Sequence, residues 1–361
     1  MKLSDREWKE FFLEDLFVVK SGKRLTNADK IDGKRPFVGA TDNMNGVTGF
    51  VDNTNNSLDK NVLGVNYNGA PCICFYHPYE CIFTDDVKRL HLKKHEDNAY
   101  VFLFMKSIIM QQKNKYSYGY KFNERRMLRQ LLLVPVDDND EPDYQFMEDY
   151  MKELMVAKRK QYQEYVEQRL AELGIDAKNT KVGGYNLDLE SKEWRVFLIG
   201  DLFSVKRPPA RNKDDYEVGE VPFVASGSVN NGVMKCCKSH DDEKLDDAGC
   251  ITVSPVDGSG FYQPYSFLGR GGAGSSILML YADNFNLYSG QFIAKMISNT
   301  CTCKYTYGHM GNKDGIKRER IMLPINDNNE PDYEFMEEYG RKMMAKKYVH
   351  YLNFLESSGA I

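Results

Sequence analysis

From Met1 to about Glu141, short apolar runs alternate with Gly, Asn, Asp and Pro, as in residues 35–49 and 63–83, which is the pattern of strands joined by tight turns. Residues 98–112 carry Leu103, Lys106-Ser107 and Met110 at helical turn spacing, and the apolar run 131–136 predicts a buried strand. A mixed α+β domain follows. The pattern then changes abruptly. From Pro142 to Leu173 there is neither Pro after the first position nor Gly, and Phe146, Tyr150, Leu154, Ala157, Tyr162, Tyr165, Leu170 and Leu173 form an apolar stripe broken by Lys158-Arg159-Lys160. Pro142 suits a first helical turn, and Asp143 and Glu148 complement the positive end of the dipole. A helix of about 31 residues would be roughly 46 Å long. Gly174 stops it, and residues 175–191, with Gly183-Gly184, read as a linker.

The same text is then written again. Glu7-Trp8-Lys9 with Asp15-Leu16-Phe17 returns as Glu193-Trp194-Arg195 with Asp201-Leu202-Phe203, 186 positions later. Pro36-Phe37-Val38 and Asn45-Gly46-Val47 return as Pro222-Phe223-Val224 and Asn231-Gly232-Val233, and Phe75-Tyr76-His77-Pro78-Tyr79 as Phe261-Tyr262-Gln263-Pro264-Tyr265. Lys115-Tyr116-Ser117-Tyr118-Gly119 pairs with Lys304-Tyr305-Thr306-Tyr307-Gly308, and Glu141-Pro142-Asp143-Tyr144 with Glu330-Pro331-Asp332-Tyr333, both now 189 apart. A drift of three residues with identities in order marks a tandem duplication of a whole domain with its connector. The second helix runs from Pro331 through Phe335, Tyr339, Met343 and Leu352 to about Leu355, with Gly340 as a weak point. Boundaries follow at 1–142, 143–173 for the first helix, 174–192 for the linker, 193–331, and 332–356 for the second helix. Each helix either packs on its own domain or, since the stripes match, the two pair antiparallel about a pseudo-twofold axis.

Composition narrows the class. Mean hydropathy is -0.54, and no apolar stretch approaches the 18 or more residues of a spanning helix. The opening MKLSDREWKEFF lacks the apolar core of a signal peptide, so the expectation is a cytoplasmic chain with no membrane attachment. Eight cysteines in such a chain read as reduced thiols. A net charge of -4 argues against a bulk electrostatic grip on nucleic acid, so local distribution must decide that question.

Motifs for catalysis are missing: no phosphate loop, zinc helix, nucleophile elbow or base-holding Asn/Asp-Pro-Pro-aromatic motif occurs. Gly269-Arg270-Gly271-Gly272-Ala273-Gly274 has no counterpart in the first unit and reads as a plain loop. Cys72-x-Cys74 and Cys301-x-Cys303 could each be half of a thiolate site, but they are not equivalent between units, and no metal ligand set is assigned. What remains is an interleaving of cations, aromatics and amides. Lys113, Lys115, Tyr116, Tyr118, Tyr120, Lys121, Asn123, Arg125, Arg126 and Arg129 crowd one stretch; Lys304, Tyr305, Tyr307, His309, Lys313, Lys317, Arg318 and Arg320 occupy the equivalent one. Lys20, Lys23, Arg24, Lys30, Lys34 and Arg35 form another cluster, loosely mirrored by Lys206, Arg207, Arg211 and Lys213. Lys and Arg neutralise phosphates, while Arg, Asn and Gln read base edges.

Two units that each open with E-W-x-x-x-x-[LI]-x-D-L-F, carry an N-G-V turn and a K-Y-x-Y-G segment, and end in a strand closing on Pro before a long helix, resemble the specificity subunit of type I and related bipartite restriction-modification systems. The resemblance spans nearly the whole chain. It implies an α+β fold of two tandem pseudo-symmetric target recognition domains, each reading half of a split double-stranded DNA site. Their helices would set the distance and dock two adenine methyltransferase subunits. S-adenosylmethionine would belong to those partners, this chain holding no cofactor and no catalytic residue, and a nuclease-translocase subunit could join. Readers vary within such a family; Lys23, Arg24, Asn45, Tyr118, Lys121, Arg207, Asn231, Arg270, Tyr307 and Lys313 are the DNA-binding candidates. Segments that differ between the halves, such as 89–98 against 269–276, should read different bases. The alternatives are a duplicated methyltransferase or nuclease with unrecognised motifs, and a scaffold that binds no DNA.

Overall fold

The alternation of apolar and turn residues resolves into the same series of elements twice. The structure, a computed structural model, describes residues 1–117, 119–174, 188–272 and 276–357. In the first unit the order is β1 (Trp8–Phe12), α1 (Leu13–Leu16), β2 (Phe17–Ser21), β3 (Asp32–Val38), β4 (Val47–Val51), β5 (Val62–Asn66), β6 (Cys74–His77), β7 (Ile82–Phe83), β8 (Val87–Leu92), α2 (Ala99–Met110), α3 (Glu124–Leu128), β9 (Leu131–Pro135) and α4 (Tyr144–Glu172). The second continues with β10 (Trp194–Leu198), α5 (Ile199–Leu202), β11 (Ser204–Lys206), β12 (Val218–Val224), β13 (Val233–Cys237), β14 (Cys250–Val253), β15 (Gly260–Gln263), β16 (Leu268–Gly269), β17 (Leu278–Tyr281), α6 (Leu287–Cys301), α7 (Lys313–Lys317), β18 (Arg320–Pro324) and α8 (Tyr333–Ser357). Chain contacts divide these into two compact units, the second beginning at Tyr165, within α4.

Sheet topology repeats strand for strand. A four-stranded antiparallel sheet has the order β2-β8-β5-β6 in the first unit and β11-β17-β14-β15 in the second. A three-stranded sheet, β4-β3-β7 or β13-β12-β16, contains one parallel pair. A two-stranded ribbon joins the first and last strands, Trp8 opposite Pro135 and Trp194 opposite Pro324. In the first unit Phe17, Leu63, Leu90, Phe102, Met105, Phe122, Leu132 and Val134 bury between the four-stranded sheet, α2 and the ribbon. Trp8 stacks on Phe104 and Trp194 on Phe292, and each indole N–H donates to a carbonyl five residues upstream, Leu3 or Leu189.

Several expectations shift in detail. Asn98 caps α2 through the Tyr100 and Val101 N–H groups, and the helix buries Val101, Phe102, Phe104, Met105, Ile108 and Ile109. Leu103, Lys106, Ser107 and Met110, which suggested it, lie on its more exposed side, because the core takes the wider apolar arc. Pro142 is not in the first turn of α4: the Asp143 carboxylate accepts from the Phe146 N–H at 2.8 Å and is the cap, with Pro142 before it. Along α4, Phe146, Met147, Val166 and Leu170 are buried, whereas Leu154 and Ala157 of the expected stripe are exposed. From Tyr165 on, α4 belongs to the second unit, and there the Tyr165 and Tyr348 hydroxyls lie 3.4 Å apart and the two rings meet edge to face across α4 and α8. Gly340 is a close-packing point, not a weak one: a Cβ there would lie 2.6 Å from the Tyr288 carbonyl oxygen, so its absence lets α8 rest on α6. The linker expectation at 174–192 falls mostly on residues outside those described. No helix of the described residues is long and apolar enough to cross a membrane.

The caps of α4 and α8 are built alike. Arg6 donates to Asp143 at 2.7 Å and Lys192 to Asp332 at 2.7 Å, while the second oxygen of each carboxylate caps the helix. Burial alone would raise the Asp332 carboxyl, but Lys192 and the Phe335 N–H outweigh it and hold the group below its usual range. A depressed carboxyl contributes stability above the unfolded range and loses it as pH falls. Asp332→Ala should therefore cost about 0.5–2 kcal/mol in urea unfolding at neutral pH, and the difference from wild type should shrink below about pH 4. Equal stability at pH 7 would show that the cap contributes nothing.

Candidate nucleic-acid interface

In the first unit the two basic clusters meet at one buried lysine. Lys88, on β8 with only 9% of its side chain exposed, donates to the Ser21 hydroxyl at 2.6 Å and to the Glu124 carboxylate at 2.5 Å. Ser21 ends β2 two residues before Lys23, and Glu124 opens α3 one residue before Arg125. The stitch therefore sets the loop carrying Lys23 and Arg24 beside the arginines of α3. Backbone bonds from Gly22 to Val87 and from Lys23 to Phe83 fasten that loop to the sheet. Lys23 and Arg24 are exposed, and among the described residues neither pairs with a carboxylate.

Beyond α2, buried Phe122 anchors the Lys-Tyr segment to the core, and Asn123 caps α3. The Tyr116 and Tyr120 rings stack at 5.8 Å, and the Tyr116 hydroxyl donates to Gln130 at 2.7 Å. Burial pushes the Tyr116 phenol up to about 12, so it remains a donor at neutral pH. The Arg126 guanidinium lies 3.7 Å from the centre of the Tyr120 ring and donates to the Lys121 carbonyl at 2.8 Å. With Asn123, Arg125 and Arg129 these residues line a cavity of about 400 Å³. Lys121 is exposed beside it; Tyr118 lies outside the described residues.

In the second unit Tyr307, 82% exposed, and exposed Lys313 occupy the equivalent edge, with His309 stacked on Tyr305 in place of the tyrosine pair. Arg207 follows β11 and is exposed. Arg270 is exposed on a loop whose backbone bonds Val224. Neighbouring Gly271 runs against Pro209, where a Cβ would lie 1.9 Å from the carbonyl oxygen; this glycine serves backbone packing.

Other candidates, though exposed, have their side-chain N–H groups engaged within the protein. Asn45 and Asn231 sit at φ 52° and 57°, and their amide N–H groups donate to the Tyr76 carbonyl and Tyr79 hydroxyl, or to the Tyr262 carbonyl and Gln263 side chain. They hold a left-handed turn against a strand. Arg35 and Arg211, members of the basic clusters, are paired as well: half-buried Arg35 bonds Glu80 and the carbonyls of Asp52 and Asn53, and buried Arg211 bonds Glu243 and Asp246. The comparison of 89–98 with 269–276 is out of register. Sheet pairing makes Met279 the counterpart of Arg89, and Arg89 is buried, bonding Asp59 at 2.8 Å and the Ser21 and Asn56 carbonyls. It braces the scaffold and cannot read a base. Arg125, Arg126 and Arg129 were visible only as members of a cluster; the signal for Arg126 was the Tyr-x-x-x-Tyr-x-x-x-x-x-Arg spacing, which the second unit breaks at His309 and Gly315.

A sequence model of the type I restriction modification DNA specificity domain matches residues 5–164 and again 191–349. The chain belongs to that family. Among curated relatives, the specificity subunit S.BcgI of a type II restriction enzyme from Heyndrickxia coagulans is 54% identical over 149 residues, 41% of this chain and 44% of that one. The chain thus aligns with less than half the length of this relative. Among solved structures, the type I restriction-modification S subunit from M. genitalium covers 99% of this chain and 94% of its own at 13% identity and a TM-score of 0.45; the HsdS subunit from Thermoanaerobacter tengcongensis covers 96% and 91% at 12% and 0.29. The two specificity-domain matches coincide with the two repeats of the fold.

The turn asparagines and the free cations should separate cleanly. Asn45→Ala should cost on the order of 1–2 kcal/mol in urea unfolding, since alanine resists the left-handed region. Lys23→Ala should change stability by less than about 0.5 kcal/mol. A reversal of that order would mean that Asn45 does not brace the turn.

Proposed function

We propose that this protein is the non-catalytic, sequence-reading subunit of a restriction-modification complex, each unit recognising half of a bipartite double-stranded DNA site. The observation that carries the reading is the double family match over two units that share one topology but present different side chains at equivalent positions, Arg125 and Arg126 against Asp314 and Gly315. A constant scaffold with variable loops is what reading two different half-sites requires. Lys23, Arg24, Lys121, Arg207, Arg270, Tyr307 and Lys313 remain the proposed contacts, with Tyr118 beside them.

In this reading α4 and α8 pair antiparallel, set the spacing and dock two methyltransferase subunits, which carry S-adenosylmethionine, and the same complex can take up a nuclease-translocase subunit. Supporting a docking role, Val156 on α4 and Phe354 on α8 are 67% and 55% exposed, large apolar groups that a partner would cover. The complex would work in the cytoplasm, where its DNA is.

Exchange of residues 1–142 for those of a relative should change one half of the methylation motif of a host carrying the chain, and leave the other half intact. A change in both halves would end the modular reading. A four-residue insertion near Gln163 should lengthen α4 by roughly 6 Å, close to two base pairs at about 3.4 Å each. The gap in the motif should grow by one or two while both halves keep their sequence; an unchanged gap with full activity would remove the spacer role from α4.

A further inference from the structure

The cavity on α3 has a chemistry of its own. Arg125, Arg126 and Arg129 converge on it, and among the described residues none of the three pairs with a carboxylate. The acid of α3, Glu124, is drawn off to Lys88. Asn123 spends its side-chain oxygen on the Arg126 N–H to cap α3, so what it offers a ligand is N–H. The lining is therefore rich in donors and carries three uncompensated positive charges.

We propose that this cavity receives a phosphodiester group of the DNA backbone beside the first half-site; the proposal rests on the DNA-reading assignment above and names the ligand chemistry of one part of that surface. A base edge is neutral and would offset none of the three positive charges, whereas a phosphodiester brings one full negative charge. A phosphate is anionic and accepts only, and it takes the planar guanidinium fork through two oxygens. Arg126 is prepared for this. The face of Tyr120 and the carbonyl of Lys121 hold its plane, so little side-chain freedom is left to lose on binding. The Tyr116–Tyr120 stack forms the apolar side of the cavity, suited to a deoxyribose. In the second unit the corresponding residues are Tyr305, His309, Asn312, Asp314, Gly315 and Arg318, so two of the three arginines are gone and one is replaced by an acid. The anchor belongs to the first half-site alone.

The test uses the full chain in complex with its methyltransferase and a duplex bearing the motif, with neutral methylphosphonate placed at successive backbone positions. For wild type, one methylphosphonate beside the first half-site should weaken binding on the order of tenfold. In the triple variant Arg125→Gln, Arg126→Gln, Arg129→Gln that position should become indifferent. Affinity should fall equally for motif and altered duplexes, and the salt slope should drop by about 0.9 for the lost phosphate. Arg126→Lys, which keeps the charge, should retain most of the slope, and thermal unfolding checks that both variants fold. Loss of preference at one base pair with an unchanged slope would overturn the proposal in favour of base reading. Unaltered sensitivity at every phosphate would overturn it outright. Failure of the wild-type complex to prefer the motif would instead sink the DNA-reading assignment.

Discussion

Everything in this protein hangs on the pairing of the first strand of each unit with its last. The β1–β9 and β10–β18 ribbons close the units end to end. Immediately after the closing strand, Asp143 or Asp332 caps the long helix while held by a cation, Arg6 or Lys192, that precedes the opening strand. The helix therefore starts from a fixed point of the domain, held by a two-sided carboxylate next to a ribbon that buries one face and exposes the other. Leu132 and Val134 are buried but Leu131 and Leu133 are not, so the strand expected to be buried is so only at alternate positions from Leu131 to Val134. Arg6 and Lys192 also lie over Phe146 and Phe335, the third residue of each helix, which adds an apolar contact to the ionic one.

The two units show how one topology tolerates different interiors. Asp59 and Asp246 occupy equivalent bridging positions, paired with Cys81 and Phe267, and each is bound by a buried arginine. In the first unit that arginine is Arg89, from the central sheet; in the second it is Arg211, from the loop after β11. A buried acid must be paired, but the partner can arrive from either side. In the same way His77 stands over Gly64 where Gln263 hydrogen-bonds Thr252. Burial pushes the His77 imidazole down to about 4, so it stays neutral and packs against Phe83 as an aromatic. Such exchanges leave the scaffold constant and free the loops above it to differ.

The functional surface follows from that division of labour. Charges that the scaffold needs are neutralised by it, inside as with Arg89 and Arg211 and at its edge as with Arg35. Those left over, Lys23, Arg24, Arg125, Arg126 and Arg129, gather on one edge because Lys88 ties two loops together. An acidic chain can thus carry a basic face: its net charge of -4 is a sum over positions that never see the same ligand.

The sequence by itself determined the duplication, the strand-rich unit, the long helix after it and the family. These rest on identities repeated in order and on local periodicity, both of which are properties of the chain. It also located the basic segments, since composition is local. Only the tertiary structure decided which members of those segments face outward. Whether Asn45 reads a base or braces a turn depends on Tyr76 and Tyr79, more than thirty residues away; whether Arg89 is a reader or a core brace depends on Asp59, thirty residues upstream across the sheet. A basic side chain carries no local mark of its partner. Its role is fixed by which carboxylate, carbonyl or ring the fold brings within about 3–4 Å, and that is information held between elements, not along them.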